Sequence, residues 1–253
     1  MAGTRLRPLK AIRAMRALLR DPDDTARVFD VIAALGGRGA ERSFERFRSL
    51  ETGARILAEK RSLLHVLADR ERLHALPPGS LGRAYADFMG REQISAEGLA
   101  QASLALGPPD PLIPPERQLF GARLRDMHDL WHVVTGYGRD LLGEAQLLAF
   151  TYAQTRTRGI GFIVATAWWK ARRAPEFRRM LRAAYRRGRR AAWLPAADWE
   201  TLLERPLDAV RAELRVGPPP RYAEVRSAGA PAPPLAGTAD SLAAPAAGTL
   251  PNR

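Results

Sequence analysis

The chain of 253 residues contains no cysteine. Disulfides, thiolate catalysis and a zinc site built on Cys are therefore excluded, and a bound metal must be held by nitrogen and oxygen donors. Histidine is scarce, with four in the whole chain. Long apolar runs are missing too: the longest, Gly159 to Trp169, has 11 residues, against the roughly 20 a helix needs to cross a bilayer. No window alternates apolar and polar residues long enough to argue for a sheet, and no secretory signal is recognisable. Acidic residues are absent from Met1 to Arg20.

What is present is helical periodicity punctuated by Pro and Gly. It predicts an all-α, multi-helix single domain over residues 1–216, with helices near 8–20, 23–36, 39–50, 52–75, 80–91, 95–106, 115–136, 139–157, 159–173, 176–192 and 196–214. Ser80 and Ser95 are natural N-caps, and Leu76-Pro77-Pro78-Gly79 and Gly107-Pro108-Pro109 end the elements before them. After Val216 the composition turns to Pro, Ala, Gly and Ser, which bury too little surface to offset ordering entropy. Residues 217–253 thus read as an extended arm over Pro218 to Tyr222 and a disordered tail.

Basic residues outnumber acidic ones by 40 to 27, a net charge of +13. Much of this is arginine and partly reflects composition, so its placement says more. One run spans Arg5, Arg7, Lys10, Arg13, Arg16 and Arg20; the other covers Lys170 to Arg190. Neither lies in a helix-turn-helix, zinc-finger or RNA-binding pattern, which argues against nucleic acid. An anionic membrane surface fits better, each arginine near it contributing about 1 kcal/mol. The first run is Arg-rich and acid-poor like an organellar presequence. Leu6, Ile12, Ala14, Leu18 and Leu19 nonetheless lead directly into the capping signal Asp21 to Thr25, as if built into the fold. The resulting expectation is a bacterial cytoplasmic protein, peripheral on the inner face of the cytoplasmic membrane.

The chemistry concentrates in Arg125 to Phe150. His128 and His132 are four residues apart, so on a helix they differ by about 40° and can hold one ion from adjacent turns. Asp129 adds a carboxylate between them in projection. Glu144 would lie about 160° from His128 on an unbroken helix. The segment Thr135-Gly136-Tyr137-Gly138 supplies a break, returning Glu144 on a second helix facing the first. His65 and His74, among Leu, Arg and Glu without other ligands, read as helix-surface or core-edge residues.

The spacing of His128, Asp129, His132 and Glu144, with Gly143 before the Glu, resembles the signature of the coenzyme Q (ubiquinone) biosynthesis Coq4 family. Gly53-Ala54-Arg55-Ile56-Leu57 and Leu76-Pro77-Pro78-Gly79-Ser80-Leu81-Gly82, with Tyr85 and Phe88, extend the resemblance over about residues 10–215. Two departures stand out: Ala54 is inserted between Gly53 and Arg55, and Asp126 stands where relatives often carry Glu. The resemblance implies a divalent metal on His128, Asp129, His132 and Glu144, with zinc favoured and iron, manganese and magnesium also admitted by such donors. These residues would also be catalytic. The implied reaction is oxidative decarboxylation of a polyprenylated benzoic acid, a hydroxyl replacing the ring carboxylate. Implied partners are that benzenoid substrate, other ubiquinone-synthesis enzymes and a second copy in a homodimer.

Within this reading Asp129 is either a fourth ligand or the group that orients a histidine, and Arg125 or Arg139 pairs with a carboxylate at the mouth. Leu147, Leu148, Phe150, Tyr152, Ile160, Phe162, Ile163, Val164, Trp168 and Trp169 supply apolar surface for core packing or for an isoprenoid channel. Two alternatives stand beside the enzyme. One is a non-catalytic scaffold that binds prenylated lipid and organises a ubiquinone-synthesis complex. The other is a metal-dependent phosphohydrolase suggested by the His-Asp pair, whose spacing this chain does not match.

Overall fold

The computed structural model describes residues 6–20, 25–36, 38–98, 101 and 111–225. They form α1 (Pro8–Leu18), α2 (Thr25–Ala34), α3 (Arg38–Ser49), α4 (Glu51–Ala58), α5 (Leu63–Ala68), α6 (Arg70–Ala75) and α7 (Leu81–Arg91). These are followed by α8 (Pro115–Asp126), α9 (His128–Thr135), α10 (Leu141–Thr155), α11 (Arg158–Lys170), α12 (Pro175–Arg190), α13 (Trp199–Leu202) and α14 (Leu207–Glu213). Among the described residues the β pairing amounts to a single bridge between Ser80 and Pro206. The fold is all-α, as the periodicity predicts.

Helix α10 lies at the centre, packed along α12 and against α11 and α9. Its Leu147, Ala149 and Phe150 are buried, and Trp131 of α9 meets Phe150 edge-on at 6.0 Å between ring centres. Burial of a side chain such as Phe150 contributes about 1.5–3 kcal/mol. A second apolar cluster joins α1, α2 and α11 through Met15, Leu18, Val31 and Ile163. A third joins α3, α4 and α8, where Phe47 and Phe120 stand 4.8 Å apart.

Helix α7 is anchored at its start. The Ser80 hydroxyl accepts from the Arg83 N–H at 3.3 Å, as its cap role predicts. The Leu81 and Gly82 N–H groups donate to the Arg205 and Leu203 carbonyls at 2.9 and 2.8 Å. This fixes the face that carries Tyr85 and Phe88.

Three expected helices are divided. The 52–75 span breaks after Ala58, where Lys60 takes a left-handed φ of 50°, a conformation uncommon outside glycine. It breaks again before Asp69, whose side chain caps α6 through the Arg72 N–H. The 115–136 span is interrupted at Met127, and the 196–214 span breaks between Leu202 and Leu207, with Pro206 just ahead of α14. The capping signal at Asp21 to Asp24, most of the 95–106 helix beyond residue 98 and the tail from 226 lie outside the described residues.

Candidate metal centre

Helix α9 carries His128 and His132 one turn apart, with their Nε2 atoms 3.3 Å from each other. The helix stops at Gly136, which has a φ of +72° and donates its N–H to the His132 carbonyl. A β-carbon there would also lie 2.5 Å from Pro219, so both handedness and space require glycine. The chain turns through Tyr137, Gly138 and Arg139. Asp140 then caps α10, its Oδ1 accepting from the Leu142 and Gly143 N–H groups at 3.0 and 3.3 Å. Glu144 consequently occupies the first turn of α10 and faces back. Its Oε1 is 3.4 Å from His132 Nε2, and its Oε2 is 3.8 Å from His128 Nε2. The glycine break read from the sequence brings the two helices together as expected.

The ring of His132 has no exposed side-chain surface, whereas His128 and Glu144 are each about one-third exposed, at 31% and 33%. His132 Nδ1 lies 2.9 Å from the Tyr137 carbonyl. A carbonyl can only accept, so Nδ1 carries the proton and the Nε2 lone pair is directed at the site. Phe88 stacks on the same ring at 5.7 Å between centres. Burial alone would raise the Glu144 carboxyl, but His132, His128 and Arg139 hold it down at about 2. Burial likewise pulls His132 down, and Glu144 and Asp129 more than offset it, leaving its pKa raised. His128 is lowered by desolvation and by the facing His132.

These donors suit a divalent cation. In a tetrahedral zinc site with metal–ligand bonds of about 2.0–2.1 Å, neighbouring donor atoms are about 3.3–3.4 Å apart. The His128–His132 and His132–Glu144 separations, 3.3 and 3.4 Å, match that edge, while His128–Glu144, at 3.8 Å, is longer than it. Asp129 is buried, and one of its oxygens lies within 4.8 Å of both histidine donors. His128, Asp129 and His132 thus form one group able to hold an ion, and Glu144 reaches it from α10 through contacts of 3.4 and 3.8 Å to the two histidines.

The supporting expectations divide. Arg139 stands at the mouth, its Nε 3.9 Å from Glu144 Oε1. Arg125 does not: it is tied to Asp126 with a 2.8 Å hydrogen bond. His65 and His74 are exposed on α5 and α6, away from the metal donors. The apolar residues after Glu144 are largely spent on packing. Leu147 and Phe150 belong to the main core, while Ile163, Leu148 and Phe162 pack on α1 and α2. Trp169 is 66% exposed. Val164 and Trp168 pack against the main core, so these side chains on α10 and α11 face several different neighbours.

Sequence reasoning gave no role to three side chains around the site. Phe88 shields His132. Tyr85 is buried with no partner for its hydroxyl, which is pushed up by desolvation and by the charges of Asp129, Asp126 and Glu97. It also borders a small cleft with Leu67, Leu73, Ala86, Met89 and Ile94, into which Arg70 and Ser95 bring polar groups. Tyr222, from the arm, reaches Asp140. The tyrosine and phenylalanine were visible as matched positions, but their contacts span distances in sequence that no local pattern reports.

A family model described as coenzyme Q (ubiquinone) biosynthesis protein Coq4 matches residues 8–220. The ubiquinone biosynthesis protein coq4, mitochondrial, of Talaromyces stipitatus is 32% identical over 204 residues, covering 78% of this chain and 69% of that protein. Its Neurospora crassa counterpart is 32% identical over 177 residues, covering 69% of this chain and 49% of that protein. The Yarrowia lipolytica counterpart is 27% identical over 205 residues, covering 78% and 76%. A crystal structure of a Nostoc punctiforme protein, described as a candidate ubiquinone biosynthesis protein, superposes with a TM-score of 0.63 at 21% identity. It covers 85% of this chain and all of its own, a likeness of fold. The curated relatives are named as mitochondrial proteins of fungi, which overturns the expected bacterial cytoplasmic placement. The error lay in treating an arginine-rich segment that packs into the fold as evidence of compartment; packing of α1 carries no such information.

Proposed function

The chain belongs to the Coq4 family of coenzyme Q (ubiquinone) biosynthesis proteins, and on that premise we propose that it replaces the ring carboxylate of a polyprenylated hydroxybenzoic acid by a hydroxyl in a metal-dependent oxidative decarboxylation, with water supplying the hydroxyl oxygen, carbon dioxide leaving and dioxygen taking up the two electrons as hydrogen peroxide. The observation that carries this reading is that His128 Nε2, His132 Nε2 and the Glu144 carboxylate lie within 3.8 Å of one another. His128, His132 and Glu144 would hold a divalent ion there, which would supply a Lewis acid for negative charge on a substrate oxygen. Zinc suits the donor set, and elemental analysis of the purified protein decides between it and iron, manganese or magnesium.

The remaining groups position the substrate. Arg139, one-third exposed beside Glu144, offers a guanidinium to an entering carboxylate. Phe88 keeps water from one face of His132. Tyr85, its hydroxyl without a partner, lines a small cleft along α5, α6 and α7 in which Leu67, Leu73 and Met89 stand beside the polar Arg70 and Ser95.

Such a substrate resides in lipid, and α1 is the surface suited to reach it. Its inner side buries Ala11, Ala14, Met15 and Leu18, while Leu9 and Ile12 are exposed among Arg13 and Arg16. Aliphatic groups interleaved with arginine favour an anionic bilayer surface. Docking to other ubiquinone-synthesis enzymes and a homodimer belong to the same proposal.

The test is aerobic incubation of metal-loaded protein with a polyprenylated hydroxybenzoic acid carrying a labelled carboxyl. Release of labelled carbon dioxide with formation of the hydroxylated ring, lost in folded His132→Ala and Glu144→Gln variants, is the expected result. Tight substrate binding without release by fully metallated protein overturns catalysis in favour of the scaffold.

A further inference from the structure

We propose that Tyr222, two residues beyond the stretch matched by the family model, is a positioning residue of the metal centre, holding both chain segments that carry the ligands. The inference rests on the reading of His128, His132 and Glu144 as metal ligands.

The arm is fixed where it begins. The Arg187 guanidinium donates to the carbonyls of Val216, Gly217 and Pro218 at 2.7, 3.0 and 2.9 Å, and to that of Thr135 at 2.7 Å. One side chain of α12 thereby joins the start of the arm to the last residue of α9. Pro219 then fills the space that Gly136 leaves open.

Beyond that anchor the Tyr222 hydroxyl does two things. It donates to Asp140 Oδ2 at 2.9 Å and accepts from the Gly138 N–H at 2.8 Å. That N–H belongs to the same peptide unit as the Tyr137 carbonyl, which receives the His132 Nδ1 proton at 2.9 Å. A peptide unit is planar, so anchoring its N–H sets the direction of its carbonyl. The carbonyl in turn fixes the tautomer and the plane of the ligand ring. On the other side, Asp140 caps the helix whose first turn bears Glu144. Its Oδ1 takes the Val225 N–H at 3.1 Å, and the Leu141 N–H donates to the Val225 carbonyl at 2.8 Å. The hydroxyl is thus the joint between the His132 peptide and the Glu144 cap. Hydrogen bonds in such a chain polarise one another, and the loss of one loosens the next.

The test uses the full chain with Tyr222→Phe, which removes both hydrogen bonds and keeps the ring, and with Asp140→Asn, which retains a capping oxygen but removes the anionic acceptor. Cobalt(II) is added as a spectroscopic probe, and zinc affinity is read by competition with a coloured chelator. The expected result is far-UV circular dichroism like that of the parent chain, displaced visible cobalt bands, and zinc binding weakened about tenfold or more. Parent-like cobalt bands and zinc affinity in either folded variant overturn the proposal, even if the variant melts earlier, since a merely structural role predicts that pattern. If the parent chain takes up neither cobalt nor zinc, the metal reading falls and this inference with it.

Discussion

The α-carbon of Gly143 stands so close to the carbonyl oxygen of Gly138 that a β-carbon on it would lie well inside van der Waals contact. The same β-carbon would come 2.6 Å from the Tyr222 hydroxyl. Helix α10 begins here and Glu144 is its next residue, so the approach of these two glycines sets where the carboxylate stands. Gly143→Ala is expected to push the first turn outward, costing about 1–3 kcal/mol of stability from overpacking. Zinc affinity should fall by about tenfold or more. Chelator competition on the folded variant checks this; unchanged affinity would separate the close approach from ligand placement.

The metal motif was legible because its geometry is local. His128 and His132 share one helical turn, and the two glycines at 136 and 138 announce the reversal that returns Glu144. What was hidden depends on chain that comes back from afar. Tyr222 meets the turn from 84 residues away, and nothing in its Pro-rich neighbourhood marks it as more than an exposed arm residue. The helix break at Lys60 was equally hidden, since lysine gives no signal for a left-handed backbone. The Asp69 cap, by contrast, has a readable residue type, but the apolar period continues across it and masks the break.

A ligand that binds only the folded state stabilises it. At zinc concentrations near one hundred times the dissociation constant the gain is about 2.7 kcal/mol. For a chain of this size that is a rise of about 5–11 °C in melting temperature. Differential scanning fluorimetry should show this rise in the parent chain and in His65→Ala and His74→Ala, and should lose it in His132→Ala. A rise that survives His132→Ala would place the ion elsewhere.

Arg123 is fully buried and pairs with Glu200 through both nitrogens, at 2.6 and 3.0 Å, while also donating to the Arg61 carbonyl at 3.0 Å. Removing one partner leaves the other charge without compensation in a desolvated place, which costs about 3–5 kcal/mol. Glu200→Ala is therefore expected to lower stability by about that amount in urea denaturation, and Arg123→Met with Glu200→Leu to recover most of it. A double variant as unstable as the single one would show that the pair does more than satisfy itself.

Asp198 sits between Arg61 and Arg55, each 3.0 Å away. Burial pushes its carboxyl up, but the arginines and the Thr201 N–H prevail, so its pKa is lowered in the folded state. A lowered carboxyl contributes stability that is fully present above its unfolded value of about 3.9 and is lost as pH falls through the folded value. The stability difference between the parent chain and Asp198→Asn should accordingly stay constant from about pH 8 to 5 and shrink below about pH 4. Urea titrations at a series of pH values test this, and a difference that vanishes between pH 8 and 6 would assign the interaction to another group.

The two arginine runs look alike in sequence and differ in the fold. On α12, Arg178 and Arg182 lie over the Trp168 ring at 4.2 and 5.2 Å, and Arg187 is committed to carbonyls. Arg186 and Arg189 are exposed there, but no large hydrophobic residue of that helix is. On α1, Leu9 is 71% exposed and Ile12 is exposed beside Arg13 and Arg16, whereas Lys10 is paired with Asp30 at 3.3 Å. Charge attracts either helix to an anionic bilayer, yet only aliphatic groups remain attached once salt screens the charge. At about 1 kcal/mol per arginine, replacing Arg13 and Arg16 by alanine should weaken binding to anionic vesicles about thirtyfold at low salt. Leu9→Ser should remove the binding that persists at high salt, and the Arg186→Ala, Arg189→Ala pair should leave that portion intact. Sedimentation with anionic and neutral vesicles gives the comparison; salt-resistant binding that follows α12 instead would move the lipid contact away from α1.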